Sequence, residues 1–311
     1  METTTEEKGR LAGNLACFAA YAIFGFNVIC CKDIALDGRI SPMALFCLRA
    51  FGAAILFWLL SVLSPEARRE RICKKDLPMI AAASLLGLFF TQLTFLKAMT
   101  MTTAIDAAVV GTLSPVLTLI ISSIVARERI EAGKAGGIAL SLAGVLLLVY
   151  NSSTVSGGAE RTTGGGFALM FCNALCFALY LSLFRNLIRK YSVITFMKWM
   201  FLISSLAAMP FSFNALGAVP WHEIPTKIAL EAAYVVFFAT FVAYFLIPLG
   251  QKLIKPVYVC IYSYVQPVIT MVIGLWLGID SLSLLKAAAT AMVFAGVAAV
   301  NFIPGKKVGG R

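Results

Sequence analysis

Apolar positions in this chain neither alternate nor form narrow stripes. They fill whole stretches of about 17–24 residues, cut by short polar breaks. A bilayer core takes about 20 apolar residues per helix. On that spacing the pattern predicts ten membrane helices, at about 11–31, 42–63, 78–99, 103–126, 134–150, 165–184, 192–213, 228–249, 256–278 and 284–303. The breaks are short, as "MTMTT" and "ARERIEAGK" show, and none is long enough to fold as a separate soluble domain. Composition agrees: 60% of the 311 residues are hydrophobic and 13% charged, with a mean hydropathy of +0.89. A soluble domain of this size cannot hide that much apolar surface. The opening "METTTEEKGR" is too polar and acidic for the head of a cleavable signal, so the first helix is expected to be retained.

Two of the predicted helices carry a proline in their interior, in "GTLSPVLTLIISSIV" from Gly111 and "SYVQPVITMVIGLWL" from Ser263. Pro115 and Pro267 are 267 − 115 = 152 residues apart. At that offset Val116, Thr118 and Ile121 also meet Val268, Thr270 and Ile273. Lys134, Ala135, Ala139, Ala143, Gly144 and Val145 meet Lys286, Ala287, Ala291, Ala295, Gly296 and Val297. The chain therefore reads as two five-helix repeats, at 11–150 and 164–303, with short tails at 1–10 and 304–311. Five is odd, so the second copy is expected to enter the membrane inverted relative to the first. Inverted repeats place a substrate site at their interface near the bilayer midplane. An interior proline kinks a helix and frees a carbonyl, tolerated in a membrane only beside protein or a wet cavity. The expected fold is thus all-α and integral to the membrane, with ten helices as two inverted repeats around a central cavity.

The net charge of +11 raises the question of nucleic acid, and the placement of the charges answers it. Of the 26 Lys and Arg, 18 fall in or at the edge of the tails and alternate breaks, 4 on the other side and 4 within helices. Such asymmetry marks the cytoplasmic side. Both termini are expected there, and no nucleic-acid partner is implied. The eight cysteines lie mostly within apolar stretches, there is no C-x-x-C, and His222 is the single histidine, so neither a disulfide framework nor a metal centre is expected.

These residues resemble the drug/metabolite transporter superfamily, in its ten-span EamA-like branch. "FGFN" (Phe24–Asn27) is similar to that branch's Trp-Gly-Ser-Asn stretch in the first span, and "RAF" at Arg49 to its second-span arginine. "MTTAIDAAVVGTLSPVLTLIISSIVARERI" resembles the fourth-span pattern, ending in a Glu-Arg-Leu-like element at Glu128, Arg129 and Ile130. The second copy departs there, with Asp280 and Ser281. The resemblance implies a basket-like transporter of small metabolites, most often amino acids or their derivatives and often outward, in a bacterial inner membrane. Related small multidrug exporters use a first-span glutamate for proton exchange. "LACFAAYAIFGFNVIC" has no acid, which argues against that mechanism.

Candidate substrate contacts follow from polar residues at helical spacing. Ser263, Gln266, Pro267, Thr270 and Gly274 share one face of the ninth predicted helix, matched by Gly111, Ser114, Pro115, Thr118 and Ser122 on the fourth. Small polar residues also serve close packing, the expected role of Ser122, Gly274 and Gly111. Gln266, Ser114, Thr118 and Ser263 are assigned to the cavity, with Pro115 and Pro267 as its kinks. Asn27, Gln92, Asn173, Tyr180 and Tyr244 offer donors and acceptors for a ring or an amino-acid backbone. Arg49 could hold a carboxylate, but a peripheral second span would favour an internal ion pair or a bond to carbonyls. Asp106 could carry a coupling proton or recognise an amine, although capping of its helix is the expected role. Lys97 and Lys198 lie near helix ends and can snorkel.

Three function classes compete. A secondary transporter by alternating access leads, needing no cofactor, since no nucleotide-binding glycine loop is present. Nucleotide-sugar transport on the same fold would want several convergent basic residues, and only Arg49 qualifies. A membrane-embedded enzyme would need catalytic groups within reach of one another, which lone His222 and scattered acids do not supply. The implied partners are a small-molecule substrate and the lipid bilayer; a monomer suffices for the predicted architecture.

Overall fold

The computed structural model describes residues 2–126, 132–154, 162–253, 262, 265–278 and 283–302. Helix dominates throughout. Helix α1 is Glu2–Asp37 and α2 Pro42–Leu63; α3 runs as Leu77–Ser84, a wider π-helical segment Leu85–Phe90, and Thr91–Met99. Helices α4 (Ala104–Gly111), α5 (Ser114–Ala126), α6 (Ala132–Thr154), α7 (Gly164–Leu183) and α8 (Val193–Gly217) follow. Then α9 runs as Thr226–Val236, a second π-helical segment Phe237–Val242, and Ala243–Leu253; α10 is Val265–Trp276 and α11 Leu284–Phe302. Among the described residues, seven helices have the length and apolar composition to cross a membrane, and Ala135–Leu147, Val265–Trp276 and Leu284–Gly296 are shorter apolar helices. Large apolar side chains such as Leu63, Ile124, Phe213, Trp276 and Leu284 stand exposed around the bundle, as lipid-facing positions do.

Helix starts follow capping chemistry. Ser41, Thr103, Thr163 and Ser192 each precede a helix and accept a hydrogen bond from the amide three residues on. Pro42 sits at the first position of α2, where its missing N–H costs nothing. Gly38 ends α1 with φ +76°, the left-handed conformation glycine adopts freely. Helix α1 thus continues six residues past its predicted end at residue 31, and Lys32 and Asp33 belong to it.

Packing pairs the two halves of the chain. Helix α6 packs most extensively on α11, α2 on α8, α1 on α9 and α10, and α7 on α3 and α5. The α6–α11 contact reaches backbone level at two glycines 152 residues apart. A Cβ on Gly144 would lie 2.7 Å from Val293 Cγ2 and 2.9 Å from Ala289 O. One on Gly296 would lie 2.5 Å from both Gly137 O and Ser141 N. Ser141 and Val293 are themselves 152 apart, so the same contact is made twice in reciprocal form. The π-helical segments obey the same offset, since 237 − 85 and 242 − 90 both equal 152. A π-helical turn leaves a carbonyl without its usual partner; Thr91 Oγ1 donates to Leu86 O at 2.6 Å in the first, and Thr240 Oγ1 to Val235 O at 2.7 Å in the second.

Each end of the bundle is tied across the halves. Where α2 ends and α8 begins, the Ser192 amide donates to both Glu70 oxygens at 3.0 and 3.1 Å, and Asp76 accepts from Lys190 and Tyr191. Burial acts to raise the Glu70 carboxyl, but hydrogen bonds from Ser192 and Thr195 together outweigh it and hold the group below its usual 4.5. A lowered folded value means stabilisation that is present at neutral pH and lost as the pH falls through that value. Glu70→Ala is therefore expected to cost about 0.5 kcal/mol at pH 7, allowing for screening of a half-exposed group. The gap between variant and parent in detergent melting should close on acidification below the ordinary glutamate range; a gap that widens would contradict the assignment.

Candidate functional site

Between the halves, the two π-helical segments face a cluster of polar side chains that the lipid-facing pattern leaves inside. Arg49 on α2 is 3% exposed, and its Nε donates to Thr240 Oγ1 at 2.9 Å. Its Nη1 is buried with no partner. Gln92 on α3 is also 3% exposed, and neither its Oε1 nor its Nε2 makes a hydrogen bond. It lies beside the Tyr244 hydroxyl of α9, which also senses the Arg49 charge. Since 92 + 152 = 244, these two are equivalent positions of the halves meeting face to face. Asn173 of α7 reaches across and donates from Nδ2 to Thr91 O at 2.6 Å. Each π-helical segment is thus engaged by a polar side chain from the other half, Asn173 on one and Arg49 on the other.

Aromatic rings enclose the cluster. Tyr244 sits edge-on to Phe24 and Phe201, at centroid distances of 5.8 and 5.6 Å. Phe57 stacks on Phe201 at 5.4 Å and meets Phe241 at 4.8 Å. Tyr180 lies so close to Gly87 that a Cβ there would fall 2.6 Å from its ring. Asn27 is buried on α1 and accepts from the Cys31 thiol at 3.5 Å. Cys31 also lines a cavity of about 170 Å³ with Ile34, Leu45, Leu96 and Thr100.

The proline-bearing stretches take a different place. The fourth predicted helix is interrupted at Thr112–Leu113, so α4 ends and α5 begins one residue before Pro115. Ser114 Oγ donates to Gly111 O at 2.9 Å and Thr118 Oγ1 to Ser114 O at 2.7 Å, so both hydroxyls serve their own backbone. Pro267 and Thr270 are buried on α10, and Thr270 Oγ1 donates to Gly25 O at 2.9 Å. Gln266 is half-buried on the same helix, its carbonyl against Gly25. Ser263 lies outside the described residues, as do Glu128, Arg129, Ile130, Asp280 and Ser281.

Asp106 departs most from the expectation of capping. Thr103 is the cap of α4, and the Asp106 carboxylate forms a buried ion pair with Lys286 of α11 at 3.3 Å. It also accepts from the Thr162 hydroxyl, while Lys286 donates to Thr103 Oγ1 at 3.1 Å. The first turns of α4 and α11 and the residue before the α7 cap therefore meet at one carboxylate, at the end of the bundle opposite Glu70. Arg49 departs too. Its helix is central, packed on α8 and the second π-helical segment, and its partner is a hydroxyl in place of the expected carboxylate or carbonyl. Lys198 is buried, 5.2 Å from the Trp58 ring centroid, with Ser61 and the Ala67 carbonyl as acceptors.

The sequence profile of the EamA-like transporter family matches residues 11–150 and again 164–302. An uncharacterized transporter of Bacillus subtilis, YyaM, is 22% identical over 228 residues, covering 73% of this chain and 74% of its own. An uncharacterized transporter of Archaeoglobus fulgidus is 29% identical over 181 residues, 57% of this chain and 61% of its own. One protein of known crystal structure superimposes with a TM-score of 0.62 over 92% of this chain and 95% of that one, at 17% identity, a likeness of fold.

Proposed function

Because the chain belongs to the EamA-like transporter family, and is therefore an integral membrane transporter, we propose that it carries small metabolites by alternating access, amino acids or their derivatives foremost, and works as an exporter in a bacterial inner membrane. In this reading the two matched stretches are inverted repeats, the chain crosses the bilayer ten times, and both termini are cytoplasmic. The observation that carries it is the pair of π-helical segments at the 152-residue offset, facing buried polar groups that the fold leaves unpartnered. Unpartnered polar groups inside a membrane protein are costly and mark substrate pathways. Arg49, Gln92, Tyr244, Asn173 and Tyr180 would meet the substrate, with Asn27 behind them. The Glu70 and Asp76 contacts would close one end, and Asp106–Lys286 the other. Gln266 would border the site from α10.

The test is counterflow of radiolabelled amino acids, one at a time, into liposomes holding the purified protein. Saturable exchange is expected, and Gln92→Leu should reduce it at least tenfold, because a transient polar contact is lost without a charge being stranded. Exchange unaffected by Gln92→Leu would move the site away from the π-helical segments. No exchange of any amino acid by folded protein would sink that substrate class. Dependence on an imposed pH gradient would separate proton coupling from passive carriage.

A further inference from the structure

A guanidinium inside a membrane protein is paired, or it waits for a partner. Among the described residues Arg49 makes one hydrogen bond, to the Thr240 hydroxyl, which is neutral. Among the described residues no carboxylate lies within ion-pairing distance of it. Among the described residues the acids within these helices, buried Asp106 and half-buried Asp33 and Glu231, face other cations. Asp106 holds Lys286, and Asp33 and Glu231 flank Lys227. Glu231 has its Oε1 facing Lys227 at 3.8 Å and a buried Oε2 without a hydrogen bond, and it forms no ion pair with Arg49. Gln92, beside the Tyr244 hydroxyl, adds an amide donor and acceptor without well-formed hydrogen bonds in the same cluster. The fold thus supplies one positive charge and neutral hydrogen-bonding groups, surrounded by Phe24, Phe57, Phe201, Phe241 and Tyr244.

We infer that the substrate is a small monoanion: a carboxylate with an apolar or aromatic body and no protonated amine, its carboxylate held by Arg49 with Gln92 beside it. This rests on the transporter reading and shifts its substrate class from amino acids to derivatives that lack the amine, for which amino-acid exchange would be weak. A zwitterion brings an ammonium group beside its carboxylate, and among the described residues no acid lies within ion-pairing distance of Arg49, so its amine would be desolvated without a partner there. A monocarboxylate cancels the stranded charge and satisfies the free guanidinium donors in one step. A phosphate or nucleotide-sugar carries more charge than one arginine balances.

Three probes with one aromatic body separate the cases: 3-phenylpropanoate, L-phenylalanine and phenethylamine, as anion, zwitterion and cation. Binding to the purified full-length protein is measured by calorimetry, with thermal melting alongside. The anion is expected to bind at least tenfold more tightly than the zwitterion, and the cation not at all. Arg49→Gln should abolish anion binding and raise the melting temperature of the empty protein, since it removes a buried charge that nothing compensates. Arg49→Lys should retain part of the binding, and Gln92→Leu should weaken it about tenfold with melting unchanged. Equal or tighter binding of L-phenylalanine overturns the inference and leaves an amino-acid transporter standing, as does lower stability of folded Arg49→Gln, which would make the arginine structural. Preference for phenethylamine overturns it as well. No binding of any probe overturns the aromatic monocarboxylate class, while counterflow run with both amino acids and deaminated carboxylic acids decides the transporter reading independently.

Discussion

Lys286→Met is expected to destabilise the protein by about 3–5 kcal/mol, the cost of removing one member of a buried ion pair. Lys286 and Asp106 are 5% and 1% exposed and lie 3.3 Å apart, with Thr103 and Thr162 completing the network. Removing the lysine takes a paired charge from Asp106, and Asp106→Asn should cost a comparable amount by taking the carboxylate from the ammonium. The double variant Asp106→Asn with Lys286→Met should recover most of the loss, because replacing both members of a buried pair is often close to neutral. Melting of all four proteins in one detergent gives the cycle. Additive losses in the double variant would show that the two side chains act separately. Since the pair joins α4 to α11, the rescued double variant should also cross-link less readily between those two first turns.

A second large loss is expected from Gly296→Val. The added side chain would stand within 2.5 Å of Gly137 O and Ser141 N, both backbone atoms that no rotamer change can move. The helices must separate, and overpacking of this kind costs about 1–3 kcal/mol or more. Contact at this distance is also what holds membrane helices together where no hydrophobic force acts between them. Gly144→Val should behave alike but less severely, because its nearest neighbour is the Val293 side chain. A smaller side chain at 293, as in Gly144→Ala with Val293→Ala, should rescue part of the loss, whereas no side-chain change rescues Gly296. Yield of monodisperse protein by size-exclusion chromatography reads both, and a well-behaved Gly296→Val would refute the backbone contact.

Period and composition announce a polytopic membrane protein, and the 152-residue offset is written in Pro115 and Pro267, in Lys134 and Lys286, and in Gly144 and Gly296. The π-helical segments were invisible because a widened turn has no residue signature. "LLGLFF" and "FFATFV" share one aligned residue, Phe89 with Phe241, and neither holds a proline. Asn27, Gln92, Asn173, Tyr180 and Tyr244 could be singled out because each is a polar group in an apolar run. Their grouping depends on which helices touch, which no local pattern encodes. Arg49 was placed at the periphery for the same reason: the packing of α2 against α8 is a tertiary fact. The Asp106–Lys286 pair spans 286 − 106 = 180 residues, and each member, read alone, is only a charge in a first helical turn.

The reciprocal glycine contact between α6 and α11 has a mechanical meaning. Two helices whose backbones already touch have no slack to give up, and parting them would open a void on both sides at once. In the alternating-access reading proposed above, exchange between facing one side of the membrane and the other would leave that seam shut, as an axle. Motion would then belong to the helices with a built-in irregularity, α3 and α9 at their widened turns and the α4–α5 break, while the axle would keep both halves in register.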